Sequence, residues 1–182
     1  MSAPRYFSER PGFGKEARGM ELFSARRLTR IGIVAALYVV ATLLCAPLAY
    51  NAVQFRVSEM MMLLCYYHKD YIISMTIGCF LANIFSSLGM IDVVFGTSAT
   101  LIAALLIWFV GRKAGLIVSS LFPVVVNAVI VGLEIKYVFG DPFWINALYV
   151  ALGEFVCVTI AGALVFKMLE KNKGFIQLIT SN

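Results

Sequence analysis

The sequence predicts an all-α membrane protein, a six-transmembrane-helix bundle with its N- and C-termini cytoplasmic. Three observations lead to that class. Of 182 residues, 61% are hydrophobic and 14% charged, whereas a water-soluble domain carries roughly 25% charged and about 45–50% apolar residues. The apolar residues fall in runs close to the ~20 needed to cross ~30 Å of hydrocarbon. The basic residues lie where a six-span path gathers them on one side of the bilayer. The length suits a single domain. The net charge of +5 follows from that asymmetry, so no nucleic-acid partner is expected.

Residues 1–29 read as a basic, disordered cytoplasmic segment, with Arg5, Arg10, Lys15, Arg18, Arg26 and Arg27 set among Pro and Gly. No apolar core with a cleavage site precedes Arg30, so no removable signal peptide is expected. Within this segment "MELFSARRLTR" reads as a natural lead-in, which makes Met20 an alternative start. Residues 30–169 then form the transmembrane domain, and 170–182 a cytoplasmic tail.

The spans follow in order. The first covers 31–48, with Pro47 and Tyr50 at its exit. The second, 52–67, is the least certain: at ~1.5 Å per residue it reaches only about 24 Å, and it holds Arg56 and Glu59, with Gln54 near its start. The third and fourth, 71–88 and 93–110, are separated by "GMID". The fifth and sixth, 116–139 and 144–169, are separated by "GDP", a strong turn signal. Charge placement decides the second span. If it crosses, thirteen of the fifteen Lys and Arg, all but Arg56 and Lys136, share the cytoplasmic side. If it does not, Arg112–Lys113 and the C-terminus fall on opposite sides, against the positive-inside rule. The external loops are then short: 50–56, 89–92 and 140–143.

Charges inside these spans need a reason, because one at mid-membrane costs roughly 2.5–3.5 kcal/mol on insertion scales. Glu59, Asp92 and Glu134 fall in the outer half of the bundle, and Glu154 near the middle of the sixth span. Asn127 and Glu134 are seven apart and share a helix face, as do Asn146 and Glu154, eight apart. Lys136 points elsewhere and can snorkel outward. Simpler roles are open for some of them. Asp92 can cap the fourth helix, Arg56 and Glu59 can pair at their spacing of three, and Asn83 suits a bond between helices. Glu154 has no Lys or Arg near it in sequence. Its partner must be another helix, a proton or a ligand. Small residues recur at close-packing intervals, in Gly32 and Ala36 and in Gly153, Cys157 and Ala161, and Asp92, Gly96 and Ala99 line a narrow face.

Enzymatic chemistry finds little support. Cys45, Cys65, Cys79 and Cys157 sit singly in apolar runs with no CxxC pair, which suits small apolar fillers better than a metal site or a disulfide. No cofactor is expected. His68, the sole histidine, has no serine placed to make a hydrolytic pair. The GxxxxGK[ST] phosphate loop is absent, so any ATP-driven step belongs to partners.

Four stretches, "AALYVVATLL", "VQFRVSEMMMLL", "GCFLANIFSSLGMIDVVFGTSATLIAA" and "ALGEF", resemble the QueT-type membrane proteins. These are the substrate-binding S components of energy-coupling-factor (ECF) transporters for queuosine precursors. The likeness spans about residues 31–167, with "QFRVSE" and "GMIDVVFG" its most specific parts. It implies a subunit of the bacterial plasma membrane that captures a 7-deazaguanine base, such as 7-aminomethyl-7-deazaguanine, from outside. It also implies docking on a transmembrane coupling subunit driven by two ATPase subunits, and tipping in the bilayer to deliver the base inward. In such subunits small residues of the first helix contact the coupling subunit. Gly32 and Ala36 fit that spacing, although Ala36 and Ala41 are five apart. The alternative is a stand-alone carrier, proton-coupled or facilitative, for a nucleobase-like or vitamin substrate, with Glu134 and Glu154 titrating.

The side chains suit such a base. Its N1–H and exocyclic NH2 are two parallel donors for one carboxylate, and an aminomethyl cation calls for a second acid. Gln54 and Asn127 can serve its carbonyl and ring nitrogens, and Tyr38, Tyr50, Phe95 and Trp144 can stack on it. The expected binding set is therefore Gln54, Arg56, Glu59, Asp92, Asn127, Glu134 and Glu154 with Tyr38, Phe95 and Trp144. Gly32 and Ala36 are the expected docking residues.

Overall fold

The computed structural model describes residues 25–45, 55–86 and 88–180, and every regular element among them is helical. Helix α1 is Ala25–Leu44. Helix α2 is a 3-10 segment, Val57–Leu63, continued by one α-turn, Leu64–Tyr67. Helix α3 is Asp70–Asn83. Helix α4, Met90–Ala114, is π-wound over Ile107–Gly111. After α5, Leu116–Phe139, comes α6, Phe143–Leu169, π-wound over Phe155–Gly162. A short α7, Lys173–Thr180, closes the described chain.

Four helices, α1, α4, α5 and α6, are long and apolar enough to cross a membrane. Helices α2 and α3 are shorter, roughly 20 Å each at ~2.0 Å per 3-10 residue and ~1.5 Å per α residue. Leu37, Phe85, Val125, Trp144, Leu164 and Met168 are each at least half exposed. Apolar surface on that scale belongs against lipid rather than water.

Helix α2 is the hub. It packs on α1, α3, α5 and the π-wound stretch of α6, and Met62, Leu63 and Cys65 have no exposed surface. Around it, α1 packs on α3, and α3, α4, α5 and α6 each pack on the next. The α1–α3 contact is close because of Gly78: a Cβ there would stand 2.9 Å from Tyr38 Cβ and 3.1 Å from the Ala35 carbonyl oxygen. Two glycines at positive φ bracket α5, Gly115 (φ +96°) and Gly140 (φ +75°). The Gly140 N–H donates to the Lys136 carbonyl at 2.9 Å, a left-handed cap that only glycine adopts cheaply.

One end of the bundle collects positive charge. Arg27 donates to both Asp70 oxygens, at 2.8 and 2.6 Å, and Arg30 donates to Oδ2 at 2.8 Å. Tyr67 donates to Glu170 at 2.9 Å, and Tyr71 to the Ile179 carbonyl at 3.2 Å. These contacts tie the start of α1, the end of α2, the start of α3, the end of α6 and α7 together. Asp70 stands ahead of the apolar part of α3. Burial alone would raise its pKa, but the hydrogen bonds and charges of Arg27 and Arg30 outweigh that and hold it below the usual carboxylate range.

The helix limits differ from the sequence expectation in four places. Helix α1 already includes Ala25 to Thr29, inside the segment expected to be disordered, and Arg27 and Arg30, about one turn apart, anchor it on Asp70. Helix α2 covers 57–67; Ala52 to Gln54 lie outside the described residues. Helix α3 stops at Asn83 rather than 88, since turns close from Ser86 N–H to the Asn83 carbonyl and from Gly89 N–H to that of Ser86. The tail holds α7, whose Phe175, Ile176 and Ile179 share one face and pack against the core. Beside it a groove of 820 Å³ opens between α1, α2, α6 and α7, lined by Ile33, Leu37, Met60, Leu64, Phe166 and Phe175 among others. None of the intramembrane acids lines it.

Candidate functional site

At the opposite end, the residue types that the sequence leaves unexplained converge. Arg56 precedes α2 at the centre of a tight turn (φ −82°, ψ 83°), which the Val57 N–H closes on the Phe55 carbonyl at 3.1 Å, so it is not part of the helix that carries Glu59. Its guanidinium donates to Asn83 Oδ1 at 2.7 Å and lies 3.8 Å from Asp92 Oδ1. The local Arg56–Glu59 pair is therefore not what forms. Asn83 also donates to the Asp92 carbonyl at 3.0 Å, bonding α3 to α4. Asp92 is in the first turn of α4, but Gly89 is the capping residue and no side chain caps that end.

The 3-10 winding of α2 turns Ser58 and Glu59 into the bundle, 1% and 0% exposed. Tyr38 of α1 donates a short hydrogen bond to Glu59 Oε1, and Thr42 of α1 donates to Ser58 Oγ at 2.7 Å. From α5, Asn127 donates to Glu154 Oε1 of α6 at 3.0 Å. The two deep acids, Glu59 and Glu154, lie close enough to interact. Glu134, one face and two turns beyond Asn127, is wholly buried and interacts with Asp92 and Arg56, while Lys136 points out and is exposed.

Hydrogen-bond capacity is left over throughout this cluster. Glu59 Oε2, Glu154 Oε2, Asn127 Oδ1 and both oxygens of Glu134 are buried without a partner, as is Arg56 Nε. An unsatisfied buried polar group costs about 1–3 kcal/mol, so a cluster of six such atoms calls for an explanation. Five of the six are acceptors and one is a donor. One arginine faces four acids. The site is built for a guest rich in N–H donors, with an acceptor or two of its own.

The other expected residues fall differently. Gln54 and Tyr50 lie outside the described residues. Tyr38 is 1% exposed and is engaged through its hydroxyl. Phe95 is half-buried. Trp144 is 81% exposed and meets Phe143 edge-on at 5.0 Å, so the structure does not bring it into the cluster. Gly32 and Ala36 are exposed on α1. His68 is at the basic end, its Nδ1 3.7 Å from Asp70, which leaves the cluster without an imidazole base.

Sequence reasoning missed Ser58, Thr42 and Thr100 as members of this neighbourhood. Thr100 donates to Cys79 Sγ at 3.1 Å, beside Asn83. The interval of four from Asp92 through Gly96 to Thr100 was the available signal. Gly96 itself is required: a Cβ there would collide with the Asn83 amide and come within 2.9 Å of Asp92 Oδ1.

Comparison with known proteins sharpens the reading. A family model described as "QueT transporter" matches residues 28–171. The chain is 34% identical over 159 residues to "Queuosine precursor transporter QueT" of Lactococcus lactis subsp. cremoris (strain MG1363), over 79% of this chain and 92% of that protein. No solved structure matches the chain.

Proposed function

Because the chain belongs to the QueT transporter family, we propose that it is the substrate-binding S component of an energy-coupling-factor transporter for a 7-deazaguanine base. The relative's name supports the substrate class. The observation that carries the reading for this chain is the surplus of buried, unpartnered acceptors on Glu59, Glu154, Asn127 and Glu134. A deazaguanine supplies N1–H, an exocyclic NH2 and a pyrrole N–H as donors, and its carbonyl suits Arg56 Nε. The deep carboxylates grip the donor edge by charge-assisted bonds, the strongest and most directional kind available. Capture is from the end of the bundle opposite the basic residues, which the positive-inside rule makes the outer one.

ATP-driven delivery requires partners, since the chain carries no phosphate loop. A transmembrane coupling subunit and two ATPase subunits fill that role, and the exposed Gly32–Ala36 face of α1, next to the Ile33–Leu37 wall of the apolar groove, is the surface offered to the coupling subunit.

Calorimetry on the purified chain tests the site. Wild type is expected to bind 7-aminomethyl-7-deazaguanine, and Glu59→Gln to bind it at least tenfold more weakly while still folding. One charge-assisted bond is worth ~1.5–3 kcal/mol, enough for that loss. Equal affinity in the two proteins would remove Glu59 from the site. Uptake that persists in cells lacking the coupling and ATPase subunits would favour a stand-alone carrier instead.

A further inference from the structure

We infer that Glu134 is the selectivity residue of the site, reading a cationic substituent on the ligand, so that an amine-bearing deazaguanine is taken in preference to its neutral counterparts. The inference rests on the deazaguanine reading above and goes beyond it by assigning the acids separate tasks. Glu59 has one oxygen engaged by Tyr38, and Glu154 has one engaged by Asn127. Asp92 has Arg56 3.8 Å from its Oδ1. Glu134 alone among the four has neither oxygen bonded, although it is 0% exposed.

Among the described residues, no lysine or arginine forms a hydrogen bond or a close ion pair with it, although Arg56 is near enough to act on it through its charge. Lys136, the nearest in sequence, lies on the other side of α5 and is exposed. Arg56 spends its NH2 on Asn83 at 2.7 Å and leans toward Asp92. A carboxylate with both oxygens open accepts several hydrogen bonds and a positive charge; an ammonium group offers three donors and that charge. The match is complete for an aminomethyl group and poor for a nitrile, which has only an acceptor to offer. A site built to bond a donor rejects the analogue lacking it, because its own polar group is then buried unpaired.

Placement agrees with the division of labour. Glu134 and Asn127 share a face of α5 seven residues apart, about 10 Å along the axis at 1.5 Å per residue, and Asn127 holds Glu154. A fused two-ring base gripped by its N1/NH2 edge at the Glu59–Glu154 level directs its opposite, five-membered ring toward the α5 turn that carries Glu134. The substituent at position 7 sits on that ring.

The test is a ligand series on the full-length purified chain: 7-aminomethyl-, 7-hydroxymethyl- and 7-cyano-7-deazaguanine, titrated into wild type and Glu134→Gln, with thermal unfolding as a check on folding. Wild type is expected to bind the amine at least tenfold more tightly than either neutral base. In Glu134→Gln that preference should shrink by tenfold or more. A preference of the same size in the variant, with all three affinities falling together, overturns the inference. If the variant does not fold, wild type still decides: hydroxymethyl binding as tightly as aminomethyl overturns it. Wild type that binds none of the three overturns the deazaguanine reading itself, a failure distinct from loss of selectivity alone.

Discussion

Asp70 shows how much a single residue can organise. It is 2% exposed yet ionised, because Arg27 and Arg30 reach it from α1. Its pKa lies below the ordinary range, so its stabilising contribution is complete above that range and is lost as pH falls through its folded value. Wild type should therefore lose thermal stability on acidification below about pH 4, the region where a free aspartate titrates. Asp70→Asn should start less stable at neutral pH and lose less on acidification, the two curves approaching each other. Parallel curves in a fluorescence-monitored melt would show that the Arg–Asp cluster contributes nothing. At this scale the sequence marks the unusual residues but not their partners. Arg56 and Glu59 were visible as polar groups in an apolar chain. That Arg56 meets Asn83 and Asp92, while Glu59 meets Tyr38, depends on residues 21 to 36 positions away, and no local spacing encodes it.

Helix winding and helix contacts decide what those residues can reach. Three residues per 3-10 turn carry Ser58 and Glu59 inward, and the larger rise lengthens a segment otherwise too short to reach the bundle's mouth. The π-wound stretch of α6 begins immediately after Glu154, and it is the part of α6 that packs on α2. Neither departure from α geometry has a signature in single-residue preferences; both follow from packing. The small residues divide in the same way. Gly78→Ala should destabilise the fold by ~1–3 kcal/mol, since its Cβ meets Tyr38 Cβ at 2.9 Å and the Ala35 carbonyl at 3.1 Å, and α1 must shift to relieve it. Gly32→Ala meets nothing within 4 Å, so it should leave stability equal or slightly raised by better helix propensity. Denaturant unfolding of the two variants side by side checks this. Equal losses would mean that α1 and α3 are not held at the close distance seen.

For the molecule as a whole, the described contacts bring the start of α1, the end of α2, the start of α3, the end of α6 and α7 to the basic end, and the polar cluster to the other. We propose a path that crosses six times and keeps both termini on the basic side. A reporter fused at Asn182 should then be active only inside the cell, and a cysteine placed at Asp141 should react with an impermeant reagent added outside. The opposite result at either position would require redrawing the path of α2 or α3, the two helices too short to settle the matter by length.

The sequence by itself determined that this is a helical membrane protein, where its long apolar helices run, which family it resembles, and that Arg56, Glu59, Asp92, Glu134 and Glu154 need explaining. Those conclusions rest on composition, run length and charge and, for the family, on four short stretches, all of which local sequence carries in full. Only the tertiary structure decided that these groups share one buried neighbourhood, that Trp144 stands outside it, and that Glu134 is the acid with both oxygens open. The physical reason is that desolvation and hydrogen bonding act on whichever atoms lie within about 3 Å, and that neighbourhood is assembled from six helices whose order in the chain does not fix how they pack.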